Sequence, residues 1–151
     1  MNHRIARLGL LVAVLAVSAC GTISTSPAVT PADFQGVAGA MRTQGIALDH
    51  LVSGDAGCPD PTLTKTAIGF DASGLDQSTV VRVRIYIFGN ADSYQRLRST
   101  IDACAAAFVT DPATFQSIDD SPYVLAGQGP WAPKFEAALR QALKATVGTD
   151  N

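Results

Sequence analysis

Charge is scarce in this chain: 16% of its 151 residues are charged and 47% are hydrophobic. That balance excludes a disordered acidic tail and a basic nucleic-acid arm, and fits one globular domain. Eleven basic and thirteen acidic residues leave a formal charge of −2. No footprint for a nucleic-acid backbone or an anionic surface is visible, so no nucleic-acid partner is expected. Histidine is nearly absent, with only His3 and His50, and no serine sits in a G-x-S-x-G elbow. A serine hydrolase needs a base beside its nucleophile, and only His50 lies in the body of the chain. There is no C-x-x-C and no second histidine to complete a common zinc set. Gly127-Gln128-Gly129 stops short of a dinucleotide fingerprint, because Ala132 stands at the third glycine position and Pro130 intervenes. No Asn-x-Ser/Thr sequon occurs.

What is present begins at the amino terminus. Arg4 and Arg7 precede an apolar run from Leu8 to Val17, the form of a secretory signal. The run is shorter than the ~20 apolar residues of a membrane-spanning helix. It ends in Val17-Ser18-Ala19-Cys20, which resembles the lipobox of bacterial lipoproteins. The resemblance implies that residues 1–19 are a signal peptide cleaved before Cys20. Its thiol then carries diacylglycerol as a thioether, and its new amino terminus is often acylated. Two or three acyl chains anchor stably where one is marginal, at about 0.8 kcal/mol per buried methylene. The expected partner is therefore membrane lipid, and the expected location is an extracytoplasmic membrane surface. The alternative is an ordinary cleaved signal with Cys20 incidental. Cleavage removes His3 and two arginines, so the mature chain has nine basic residues, thirteen acidic residues and a charge of −4.

Lipidation of Cys20 leaves Cys58 and Cys104 as a pair in an oxidising compartment, where a disulfide is the default. Closing that loop contributes on the order of 4 kcal/mol in the chain-entropy model. Residues 20–32, rich in Ser, Thr and Pro without apolar period, read as the lipidated cysteine and a flexible tether. Residues 33–151 then form a single domain.

Within it, Thr30-Pro31 and Asp33 resemble a helix start, and Phe34, Val37, Ala38 and Met41 recur at helical spacing to about Thr43. Ile46, Leu48, His50 and Val52 alternate as a half-buried strand would. Asp60-Pro61 suggests a cap and first turn, and residues 61–73 read as a helix stopped at Gly74-Leu75. The competing reading is a strand over Thr66–Ala72, because Gly69 weakens a helix by about 1 kcal/mol relative to alanine. Thr79–Phe88 is the clearest strand: Val81, Val83, Ile85 and Ile87 face one way, and Arg82, Arg84, Tyr86 and Phe88 the other. Asn90 caps a helix whose apolar stripe runs from Tyr94 through Cys104 to Phe108. Cys104 thus points inward, within reach of the loop bearing Cys58. Short strands at Phe115–Ile118 and Tyr123–Ala126 flank a turn, and Phe135, Ala138, Leu139, Ala142 and Leu143 stripe a last helix. The order predicts an α+β or mixed two-layer sandwich, with a small sheet of about four strands, three to four helices and one disulfide.

Few side chains suggest chemistry. His50 reads as a packed or hydrogen-bonded structural histidine on an inward strand face. Asp49, His50, Asp55 and Asp60 match no metal-site spacing, and the bland reading is a turn, a cap and a solvated acid. Asp119 and Asp120 are adjacent and point apart on an extended chain, so a turn is favoured over a catalytic pair. Arg82 and Arg84 share a strand face where two guanidiniums could clamp an anion, although a solvated face is the plainer reading. Neither metal nor cofactor is expected.

The strand Val81–Phe88, the amphipathic helix through Cys104 and the closing strand Tyr123–Ala126 before the last helix resemble the small disulfide-bearing sensor-type domains of actinobacterial lipoproteins and receptor kinases. The resemblance implies extracytoplasmic ligand sensing or scaffolding and carries no ligand site. The chain departs from that pattern in having one disulfide and no kinase portion. The leading expectation is a non-enzymatic envelope protein binding a small ligand or an envelope protein. The alternatives are an envelope enzyme using carboxylates and His50, or a purely structural lipoprotein. The glycine-rich loops Ser53–Cys58 and Gly127–Trp131 are the candidate site, with Asp55 and Gln128 orienting a ligand beside the ring of Trp131, although the plainer role of Trp131 is to anchor the start of the last helix on the core.

Overall fold

A computed structural model describes residues 33–147. The expected signal peptide, lipidated Cys20 and tether lie outside the described residues, as does the expected proline-led start of the first helix. The order is α1 (Asp33–Thr43), β1 (Ala47–Ser53), α2 (Pro61–Thr64), β2 (Ala67–Gly74), β3 (Gln77–Ile87), α3 (Ala91–Phe108), β4 (Phe115–Asp120), β5 (Tyr123–Gln128) and α4 (Pro133–Val147), with a 3-10 turn at Pro112–Thr114. This is the expected α+β fold with its small sheet and one disulfide. The sheet has five strands in the order β1-β2-β3-β5-β4, each paired antiparallel with its neighbours.

The alternation of β3 sets both faces. Val83, Ile85 and Ile87 are buried with Phe70, Leu125 and Ile118 beneath α1 and α4, which supply Val37, Met41, Phe135 and Leu139. Tyr86 and Phe88 point to the opposite face, where Val124 and Ala126 pack with Ile101, Cys104 and Ala105 of α3 and with Leu63 of α2. Helical cover on both faces explains why Tyr86, in the row of the arginines, is fully buried. Its hydroxyl donates to the Ala56 carbonyl at 2.8 Å, and burial pushes its pKa up.

The helix expected over 61–73 does not form. Asp60 does cap a helix, accepting from the backbone N–H groups of Thr62 and Leu63, but α2 ends at Thr64. From Ala67 the chain runs as β2, with Phe70 and Ala72 buried in the same core as Ile68. The competing strand was correct: cap and proline act over one turn, after which packing decides. Gly74-Leu75 is not a helix stop but part of the tight β2–β3 turn, in which Leu75 has φ 55 and Gly74 pairs with Gln77.

That turn also starts α4. Asp76 accepts from the backbone N–H groups of Lys134 at 3.0 Å and Phe135 at 2.9 Å, and those hydrogen bonds hold its carboxyl below the usual range. Gln77, which is buried, accepts from Ala132, and Gln116 accepts from Trp131. The donors entering α4 are thus satisfied by side chains from two strands and a turn.

Candidate functional site

The loop after β1 folds back over the α3 face of the sheet. Cys58 is joined to Cys104 of α3, with a Cα–Cα distance of 5.2 Å and a sequence separation of 46. The Tyr86–Ala56 hydrogen bond fixes the same loop, so its acid is placed by one covalent and one polar tie. Asp55 Oδ1 accepts from Arg84 Nε at 2.9 Å, and Oδ2 accepts from Arg82 Nη2 at 2.8 Å. Gly69 of β2 makes room, because a Cβ there would fall on the Asp55 carboxylate. Burial pushes the Asp55 pKa up, but hydrogen bonds from Arg82 and Arg84 outweigh it and hold the group below its ordinary 3.8.

The register of β2 on β3 puts Asp71 directly across from Arg82. Arg82 Nη1 donates to Asp71 Oδ1 at 3.1 Å and to the His50 carbonyl at 2.9 Å. His50 Nδ1 lies 3.0 Å from Asp71 Oδ2. An ion-pair chain therefore crosses three strands, with Arg82 committed to two carboxylates. Burial lowers the Arg82 pKa, yet the two acids raise it overall.

Arg84 is placed differently. Its guanidinium carbon lies 3.9 Å from the centre of the Phe108 ring at the end of α3, a cation–π stack. Gly57, at φ 78, leaves space for that ring, since a Cβ there would strike it. Only Nε of Arg84 is used by Asp55. Among the described residues neither Nη has a hydrogen-bond partner, and neither is sealed from solvent. Beside it opens a cleft of about 390 Å³, lined by Val80, Arg82, Arg84, Phe108, Gln128 and Gly129. Gln128 Oε1 accepts from Thr110 N and Oγ1. A backbone N–H only donates, so the oxygen takes that side and the Gln128 amide nitrogen has no hydrogen-bond partner among the described residues.

The candidates from sequence are therefore divided. Gln128 lines the cleft with Arg84, whereas Asp55 meets the cleft only through the arginines that it holds. Trp131 does not join them: it is 4% exposed and packs with Phe135 on the α1/α4 face. A large ring next to a glycine-rich loop filled the core at the start of α4, and its buried indole N–H has no partner among the described residues. The inward histidine is also corrected. The β1–β2 register slips between Asp49 and Val52, His50 takes φ 46 inside that bulge, and its side chain is 74% exposed. The strand's outer part follows, leaving Leu51 and Val52 exposed on an edge.

The other acids are engaged singly. Asp49 accepts from the backbone N–H of His50, and Asp60 caps α2. Asp119 pairs with Arg98 of α3 through Nε at 2.9 Å. His50 and Asp119 lie on β1 and β4, the two edges of the sheet, roughly 19 Å apart by strand spacing. Among the described residues no hydroxyl or thiol hydrogen-bonds to His50, and no cluster of three or more His, Cys, Asp or Glu could hold a metal ion.

Sequence reasoning placed Arg82 and Arg84 on one face but missed Asp71 and the stacking partner Phe108. Asp71 sits eleven residues from Arg82 in a segment read as helix, so its pairing became visible only through the hairpin register. Among the described residues no helix is long and apolar enough to cross a membrane. Compared with protein-family models, with curated proteins and with solved structures, the chain finds no match.

Proposed function

We propose that the chain is a lipid-anchored protein of the cell envelope whose α+β domain binds a ligand, without chemistry, in the cleft between β3, the end of α3 and the loop after β5. The observation that carries the reading is Arg84: a cation stacked on Phe108, held at one nitrogen by Asp55, that lines an open cleft and whose other two nitrogens have no acceptor among the described residues. Preorganised donors in a concave site with apolar walls are what recognition of a small molecule requires. The lipobox supplies the anchor, and the Cys58–Cys104 bond suits the oxidising side of a membrane. The bond also serves the site, since it holds the loop that orients Arg84.

The test has two arms. Metabolic labelling with a fatty-acid analogue should mark the protein, and Cys20→Ser should lose both label and membrane retention; unchanged labelling contradicts the anchor. A fragment library of mixed charge, screened by ligand-observed NMR on the exported protein, should give hits that Gln128→Glu alters. Hits indifferent to that substitution, or none, contradict the site.

A further inference from the structure

We infer that the cleft at Arg84 takes a small monoanionic carboxylate with an apolar body. The inference rests on the proposed binding role and names its ligand class.

The charges decide the sign of the ligand. The side-chain polar groups free to meet it are both donors, the two Nη groups of Arg84 and the amide nitrogen of Gln128. Arg82 also lines the wall, with three of its five N–H groups committed to Asp55, Asp71 and the His50 carbonyl; those that remain are donors too. A neutral ligand would leave a guanidinium edge unanswered, whereas the two parallel N–H groups of that edge match the two oxygens of a carboxylate.

The same charges limit the ligand to one negative unit. Two arginines are balanced by Asp55 and Asp71 within the cluster. The mature chain as a whole carries −4. A dianionic phosphate would set a second charge against a neutral cluster in an acidic protein, with Asp55 on the neighbouring nitrogen. One charge is answered by direct hydrogen bonds from the Arg84 Nη groups although the cluster is neutral as a whole, and a second adds only repulsion from Asp55 and Asp71.

The remaining walls are apolar. Val80 is 59% exposed at the rim, Val81 lies beside it, and Phe108 closes the side that carries the guanidinium. An exposed valine next to an unpaired cationic edge fits an acid whose carbon skeleton covers Val80 while its carboxylate reaches Arg84. The volume, about 390 Å³, is near the small end of the range for ligand sites.

The experiment is equilibrium dialysis of the mature exported protein in lipid nanodiscs, with empty nanodiscs as the blank. Three probes separate charge from apolar area: 2-naphthoate, the neutral 2-naphthalenemethanol, and inorganic phosphate. The expected result is saturable naphthoate binding, with both other probes weaker by about tenfold or more, the scale of one charged hydrogen bond. Arg84→Gln should abolish the preference. Because Arg84 also pairs with Asp55, Gln128→Glu is the variant that spares the fold: it keeps the oxygen facing Thr110 and replaces the free donor by a charge, and it should cost naphthoate a comparable factor. Equal binding of the alcohol overturns the carboxylate class while leaving the cleft as the site. Preference for phosphate, or no naphthoate binding, also overturns it, and fragment hits sensitive to Gln128→Glu would still uphold the binding role. Naphthoate binding unchanged in both variants overturns the class and the site together.

Discussion

Asp55 Oδ1 accepts from Arg84 Nε at 2.9 Å, and this contact ties a loop held by the disulfide to the strand that bears the open cation. Asp55→Asn should weaken the loop's grip on both arginines and lower stability by about 1.5–3 kcal/mol, the range for hydrogen bonds to charged groups. The Asp55 pKa is depressed in the fold, so its contribution is fully present above the ordinary 3.8 and is lost as pH falls through the lower folded value. The gap between wild type and variant in urea denaturation should therefore be constant above about pH 5 and shrink below pH 4. A gap that widens on acidification contradicts the pairing.

Reduction of Cys58–Cys104 should destabilise the domain by about 2–5 kcal/mol and should be felt at the site. Gly57 donates its backbone N–H to Asp55 at 3.1 Å, so hydrogen exchange at Gly57 should accelerate more than at Val83 in the sheet centre. Uniform acceleration would show that the bond stabilises the fold without holding the loop. Non-reducing mass analysis of natively exported protein should find the two cysteines joined.

His50 and Phe70 should part company. His50→Gly removes an exposed ring from a residue at φ 46, where glycine is at ease, and should change stability by less than about 1 kcal/mol. Phe70→Ala empties a site with no solvent exposure and should cost about 3–5 kcal/mol. Thermal melts of both variants check the pair. A His50→Gly variant as damaged as Phe70→Ala would return the histidine to the core.

Trp131, the single tryptophan, should emit to the blue and resist acrylamide quenching, as its burial requires. Saturating the cleft with a ligand should leave its emission unchanged. Ready quenching would restore the exposed aromatic that the loop sequence suggested.

Local signals announced much of the fold. The alternation Val81–Phe88 gave the central strand because both its faces pack. Asn90 capped α3 through Ser93, and the stripe from Phe135 to Leu143 was buried as spaced. Elsewhere the outcome rested on partners remote in sequence. Asp60 and Pro61 are true helix starters, but one turn satisfied them before Ile68 and Phe70 joined the sheet. His50 belonged to an alternating run until a single inserted residue in the register turned it outward. Of the site, the arginine pair was legible from period two alone. That Arg82 is neutralised while Arg84 stays half free depends on Asp71 across the hairpin and Phe108 one helix away, which no local pattern encodes.

The most direct test follows the side chain of Arg84 itself. In a nitrogen-15 NMR titration of the exported protein with 2-naphthoate, the Arg84 Nε–Hε and Gln128 amide resonances should shift together along one saturation curve, while the Trp131 indole resonance stays fixed. Shifts at Trp131 or along β1, with Arg84 and Gln128 unmoved, would contradict the assignment of this cleft as the binding site.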